Sequence, residues 1–307
     1  MGSGTLENAL FDEATNEAVR ASLPDPAIRF FELVTHLGDG AALLLVVALV
    51  YWFGSPRRQR TRGLVLAIAL VALAVSAGLK GSIDAARPEV SFAHAAYSPY
   101  SFPSGHALGS AAVYGAVAVY GRIGARGFRY AVTGTIIALV ALSRVVIGAH
   151  FLGDVLAGVA LGLGIVVLVY YLDPEPGPLF LLAGAIAIAS FAFGSTHYTT
   201  LTTGAAIGAT LAWQYAGRRR WAPSGASLLV LGAVCLPALA ALRVLTAGWD
   251  VHWIGDVLGY AAIVGFVVLV PAAGERLNDR PVVVRLQSWL PFVGRTVDPD
   301  QLSGSRE

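Results

Sequence analysis

Three segments of this chain carry residue types suited to handling a phosphoryl group. They are Lys80-x6-Arg87-Pro88, Pro103-Ser104-Gly105-His106 and Ser143-Arg144-x5-His150-x3-Asp154. Lys80 is the only lysine in the chain; every other basic side chain besides histidine is an arginine. Each segment lies beside a long apolar run, where ionisable groups are costly and usually functional.

His150 and Asp154 are spaced i,i+4, which on a helix puts them on one face, one turn apart. From there the carboxylate can accept a hydrogen bond from one ring nitrogen. That fixes the tautomer and leaves the other lone pair free to attack. The same spacing also suits a histidine that merely caps a helix near an acid. Pro103–His106 opens an apolar run, as proline near a helix start favours. The first amides of that helix, the Ser104 hydroxyl and the bare Gly105 backbone could cradle an anion. His106 would stand beside it as general acid for a leaving oxygen. An ordinary turn and helix start is the plainer reading. Lys80, Arg87 and Arg144 could neutralise the equatorial oxygens of a phosphoryl group in its transition state. Interfacial snorkelling accounts for any one of them, but not for the position of the single lysine.

Composition says what must position these groups. Hydrophobic residues make up 56% of the chain, charged residues 13%, and mean hydropathy is +0.68. A soluble domain averages about 25% charged residues, so a soluble enzyme is excluded. Several runs approach the ~20 apolar residues needed to cross a bilayer. The expected fold is all-α, a polytopic bundle of about nine spans near 39–54, 63–80, 105–121, 128–147, 150–172, 179–194, 199–216, 226–246 and 253–271. Residues 1–24 form a polar, helical lead-in without the apolar region of a cleavable signal peptide. Residues 25–38 suit a helix in the interface. The division expected is a lead-in over 1–38, a catalytic core over 39–178, additional spans over 179–273 and a polar, peripheral tail over 274–307. The lone Cys235 sits in an apolar run and reads as an inert thiol.

Arginine sets the orientation. Arg57, Arg58, Arg60 and Arg62 follow the first span, Arg122, Arg126 and Arg129 the third, and Arg218, Arg219 and Arg220 the seventh. The positive-inside rule makes that side cytoplasmic. Lys80, Arg87, His106, Arg144 and His150 then fall at extracytoplasmic helix ends, with the first residue outside and the last inside.

Taken together, the three segments resemble the signature of the type 2 phosphatidic acid phosphatase and vanadium haloperoxidase superfamily, over roughly residues 40–172. The resemblance implies that His150 is a nucleophile forming a phosphohistidine, that Asp154 orients it and that His106 protonates the leaving group. It implies phosphate binding by Lys80, Arg87, Ser104, the Gly105 amide and Arg144, with no metal and no cofactor. The expected activity is hydrolysis of a lipid phosphomonoester or diphosphate in the bilayer, with no nucleic-acid partner. The alternatives are a lipid phosphotransferase using the same intermediate, or a non-enzymatic transporter or scaffold.

The C-terminal half carries an echo. His252-Trp-Ile-Gly-Asp-Val-Leu parallels His150-Phe-Leu-Gly-Asp-Val-Leu, Arg243 precedes it, and Gly194-Ser195-Thr196-His197 opens a span. No Lys-x6-Arg-Pro or Pro-Ser-Gly accompanies them. His197, Arg243, His252 and Asp256 are therefore read as a degenerate duplication, a polar cluster at a substrate entrance or coincidence. His36 and His94 read as loop or interfacial residues. Phe92, Tyr97, Tyr100, Phe102, Trp249 and Trp253 suit an interfacial aromatic belt.

Overall fold

A chain this apolar can enter a bilayer only if its backbone polar groups are satisfied internally. The computed structural model meets that demand with helices. It describes residues 10–54, 56–89, 100–122, 124–194, 196–217, 219–247 and 253–289, and among them no strand forms. His94, His252, Phe92, Tyr97, Trp249 and most of the C-terminal tail lie outside the described residues, as does the side chain of Arg243.

The helices are α1 (Glu13–Ala21), α2 (Asp25–Val34), α3 (Gly40–Phe53), α4 (Gln59–Ile83), α5 (Gly105–Tyr120), α6 (Arg126–Val146), α7 (Leu152–Leu172), α8 (Pro176–Phe193), α9 (His197–Ala216), α10 (Gly225–Ala247), α11 (Trp253–Leu277) and α12 (Pro281–Trp289). A short 3-10 turn, Thr35–Gly38, joins α2 to α3. A helix thus occupies each of the nine expected segments. By length and hydropathy α4, α6, α7, α8 and α11 can each cross a membrane, and the bent pair Asp25–Gly38 with Gly40–Phe53 makes a sixth. Two others, α5 and α9, fall short for physical reasons. At 16 residues, α5 is brief and mostly buried inside the bundle. The 20-residue α9 is threonine-rich, its hydroxyls returned to its own backbone: Thr200 Oγ1 donates to Thr196 O (2.8 Å) and Thr202 Oγ1 to Tyr198 O (2.7 Å). At the C-terminus, helix extends further than the polar composition suggests, through Leu277 and again over α12.

α4 is apolar on all sides and runs through the centre, with Leu64, Val65, Leu66, Ala67 and Ile68 all buried. A helix apolar all round belongs in an interior. α5 packs against it and against α7. The α5–α7 contact is backbone-close: a Cβ on Gly162 would lie 2.4 Å from Leu108 O. At the end of the bundle opposite the three motifs, Arg60 pairs with Asp173 and Glu175, both at 2.8 Å. Arg62, beside it, donates to Tyr51 O (2.8 Å) and Gly54 O (2.9 Å). The early arginine cluster and the α7–α8 connection therefore share one end of the molecule.

Overpacking the α5–α7 seam should separate the two helices that carry His106 and Asp154. Gly162→Val is expected to cost about 1–3 kcal/mol, read as a lower thermal midpoint in detergent. Gly164→Val, where nothing lies within 4 Å of the added carbon, should leave the midpoint unchanged.

Candidate active site

The spacing of the third motif has a local structural cause. α6 ends in a turn in which Gly148 adopts φ +67, a left-handed conformation that glycine takes without penalty. Ala149 N bonds Arg144 O (3.1 Å) and Gly148 N bonds Val145 O (3.0 Å), the paired pattern of a Schellman cap. His150 N also reaches Arg144 O, at 3.3 Å. Arg144 thus lies on the last turn of α6, and His150 is returned to the same end of the helix by the turn. Asp154 occupies the third position of α7, where its Oδ2 accepts from Phe151 N (3.1 Å), holding the start of the helix.

The second motif is joined to the third through backbone. Ser104 N donates to Asp154 O (3.1 Å). Ser104 sits at the N-cap of α5, yet its hydroxyl makes no cap bond and is a buried oxygen without a hydrogen-bond partner. The usual N-cap serine bonds its own helix. Here the hydroxyl and the first amides of α5 both remain available to an anion. The first motif closes the group. Ser101 N bonds Ala85 O (2.8 Å) and Ala86 pairs antiparallel with Tyr100. The buried Lys80 Nζ donates to Tyr100 O (3.0 Å) and Ser101 O (3.4 Å). Its Cε comes within 3.7 Å of a Cβ built on Gly105.

The surroundings of His150 define its tautomer. Arg87 Nη1 donates to Ala149 O (2.5 Å) and lies 3.1 Å from His150 Nε2, so Nε2 carries the lone pair. Nδ1 then bears the hydrogen. It is 3.5 Å from Asp154 Oδ2 and 3.2 Å from Ser101 Oγ, and Ser101 Oγ donates to that same carboxylate oxygen. The orienting link expected between Asp154 and His150 therefore passes through a serine hydroxyl. His150 lies in the turn ahead of α7, 1% exposed. Burial, then the positive charges of Arg87, Arg144 and Lys80, push its imidazole well below its ordinary value. The ring is neutral at neutral pH, the state a nucleophile needs. Arg144, also 1% exposed, donates through Nη1 to Thr35 Oγ1 (2.7 Å).

Three further residues enter the site. Asn16, from the lead-in helix α1, is buried and donates from Nδ2 to Val145 O (3.0 Å) and His150 O (2.9 Å), clamping the nucleophile turn. Asp39 pairs with His106 Nε2 at 2.8 Å. Ser101 makes the bridge just described. Only Ser101 had a sequence signal, its place two residues before the Pro-Ser-Gly-His run; Asn16 and Asp39 are single polar residues with no motif around them. An apolar cavity of about 390 Å³, walled by Phe11, Phe102 and Phe151, borders Asp154. Among the described residues no group of three His, Cys, Asp or Glu side chains is placed to hold a metal ion.

The C-terminal echo is only partly described. His197 opens α9 and packs edge-on against Tyr198 and Tyr260, at ring distances of 6.0 and 6.3 Å. Asp256 lies in the first turn of α11. At the N-cap of α9, Thr196 Oγ1 accepts from Thr199 N (3.2 Å), so this hydroxyl is used by its own helix, unlike that of Ser104.

The sequence profile of the PAP2 superfamily matches residues 60–178. Phosphatidylglycerophosphatase B of Bacillus subtilis (strain 168) is 34% identical to this chain over 150 residues, which is 46% of this chain and 73% of that protein. A crystal structure described as the first transmembrane PAP2 type phosphatidylglycerolphosphate phosphatase, from Bacillus subtilis, aligns with a TM-score of 0.49 at 28% identity. That alignment covers 56% of this chain and 88% of the other.

Ser101→Ala removes the hydroxyl between Asp154 and His150 without changing either. One hydrogen bond to a charged group is worth about 1.5–3 kcal/mol. The turnover number for phosphate release should fall by about 10–100-fold, with KM little changed.

Proposed function

This chain belongs to the PAP2 superfamily and is a multi-pass membrane phosphatase, and from that premise we propose that it hydrolyses a lipid phosphomonoester or diphosphate through a phosphohistidine on His150 at the extracytoplasmic face. The observation that carries the proposal is the convergence of a neutral, oriented His150 with Lys80, Arg87, Arg144 and the unpartnered Ser104 hydroxyl at one end of the bundle.

The phosphate binds among Lys80, Arg87, Arg144, the Ser104 hydroxyl and the Gly105 amide. These groups supply positive charge where charge gathers on the equatorial oxygens. Arg87, which faces Nε2 of His150 in the structure, shifts its donors to the phosphate as it enters. Nε2 attacks phosphorus in line, the bond to the leaving oxygen breaks, and His106 supplies that oxygen with a proton. Ser101 and Asp154 stabilise the positive ring that results. Water then attacks the phosphohistidine, releases phosphate and restores both histidines. The supply of cations and hydroxyls for charge neutralisation supports a reaction without a metal.

The catalytic unit proposed is residues 39–178, of which the family profile covers 60–178; residues 179–273 are additional spans bearing a degenerate echo. The named relative supports phosphatidylglycerophosphate as a substrate, alongside phosphatidic acid and polyprenyl diphosphates. Extracytoplasmic placement is supported by the arginine-rich loops, since Arg60 lies at the end of the bundle opposite His150.

His150→Ala in purified protein should abolish phosphate release from a panel of these lipids. Vanadate should inhibit the wild type and EDTA should not. Brief incubation with labelled substrate followed by a denaturing quench should trap label that is stable in base and lost in acid. Unchanged release by His150→Ala would sink the proposed chemistry.

A further inference from the structure

Asp39 is absent from the three motifs and outside the matched residues 60–178, yet it touches the residue assigned as general acid. We propose that Asp39 is a positioning residue for His106, orienting the imidazole and holding its proton for transfer to the leaving oxygen, with His36 as the outer partner of the carboxylate. The proposal rests on the phosphatase reading given above.

Both carboxylate oxygens are engaged by histidines. Asp39 Oδ1 is 2.8 Å from His106 Nε2, and Oδ2 is 2.8 Å from His36 Nδ1. Side-chain exposure falls inward along the series, 68% for His36, 43% for Asp39 and 23% for His106. An isolated surface pair contributes about 0–1 kcal/mol and has no reason to recur at a catalytic group. This one ends on a largely buried ring.

The local backbone gives a second argument. Asp39 is the N-cap residue of α3, where an aspartate ordinarily accepts from the amides of its own helix. It makes no such bond. The carboxylate turns instead to His106, as the 53° bend between the two halves of the broken helix allows. The turn is held against α5 and α6. Tyr114 Oη donates to Leu37 O (2.9 Å), and Thr35 accepts from Arg144. A Cβ on Gly38 would lie 3.0 Å from the His106 ring and 2.7 Å from Val140. One turn, residues 35–39, thus holds a phosphate-side arginine through Thr35 and the acid histidine through Asp39.

The chemistry needs such a partner. A general acid must carry its proton before transfer, and burial, then Arg144 and Arg87 in the same cluster, oppose a positive charge on His106. A carboxylate on Nε2 works in the other direction. It also fixes which nitrogen acts: with Nε2–H donated to Asp39, Nδ1–H is the proton given to the leaving oxygen. In the second step Nδ1 takes a proton from the attacking water, so the pair ends as it began.

Leaving-group dependence separates this role from a merely structural one. Dioctanoyl phosphatidic acid expels an alkoxide that must be protonated, whereas p-nitrophenyl phosphate expels a phenolate that need not be. Asp39→Asn should lower the turnover number on the first substrate by about 10–100-fold, part of the ~10²–10⁴ that a general acid supplies. On the aryl ester the loss should stay within about 3-fold. KM should move little on either, and Asp39→Glu should recover part of the loss. In a His106→Ala background, Asp39→Asn should have no further effect, the sign that the two act as one unit. Equal loss on both substrates, a change confined to KM, a full additional loss in the His106→Ala background, or faster turnover by Asp39→Asn would each overturn the role of Asp39 while leaving the phosphatase reading intact. A wild type that releases no phosphate from either ester would sink both.

Discussion

Three cations gathered at one end of a membrane bundle are the constraint around which this molecule is arranged. Lys80 and Arg144 are buried and Arg87 half-buried, where an unmatched charge is expensive. Each is tied to a segment from elsewhere in the chain: Lys80 to the carbonyls of Tyr100 and Ser101, Arg87 to Ala149 O, Arg144 to Thr35. Those bonds fasten the cations and pin the loops that carry the rest of the site. Arg87 shifts its donors when a phosphate arrives, whereas Lys80 and Arg144, fixed in this way, need little rearrangement, which is how preorganised charge lowers a barrier.

The parts legible in the sequence were those whose chemistry repeats in a pattern. Apolar runs located the helices to within a few residues, and the three motifs named the residues that the structure brings together. The rest depended on contacts that no local pattern reports. Asn16 bonds a carbonyl 134 positions away, and Asp39 pairs with a histidine 67 positions away. Both are single polar residues without a motif, Asn16 in the lead-in and Asp39 at the first position of the first expected span. The five-residue gap between Arg144 and His150 is different. Its cause, a left-handed Gly148 closing α6, was open to inference from Ile147-Gly148 placed after an apolar helix. A short helix such as α5 holds its place by burial among its neighbours rather than by its own length.

In the C-terminal half, close helix packing goes with different polar chemistry. α9 and α11 meet at a backbone-close seam, with a Cβ on Gly208 falling 2.0 Å from Ala261 O, as α5 and α7 do at Gly162. His197 opens α9 and Asp256 lies in the first turn of α11, the two helices of that seam. The difference lies at the N-cap. Ser104 leaves its hydroxyl without a hydrogen-bond partner, whereas the Thr196 hydroxyl is engaged with Thr199.

α1 lies ahead of every motif, yet Asn16 grips the turn that carries the nucleophile. α1 can settle there only after the turn that follows α6 has been made. α1 and that turn must also end on the same side of the membrane. A fragment cut to the family profile at residue 60 would retain Lys80, Arg87, His106, His150 and Asp154, yet lack the side chain that fastens His150 in position.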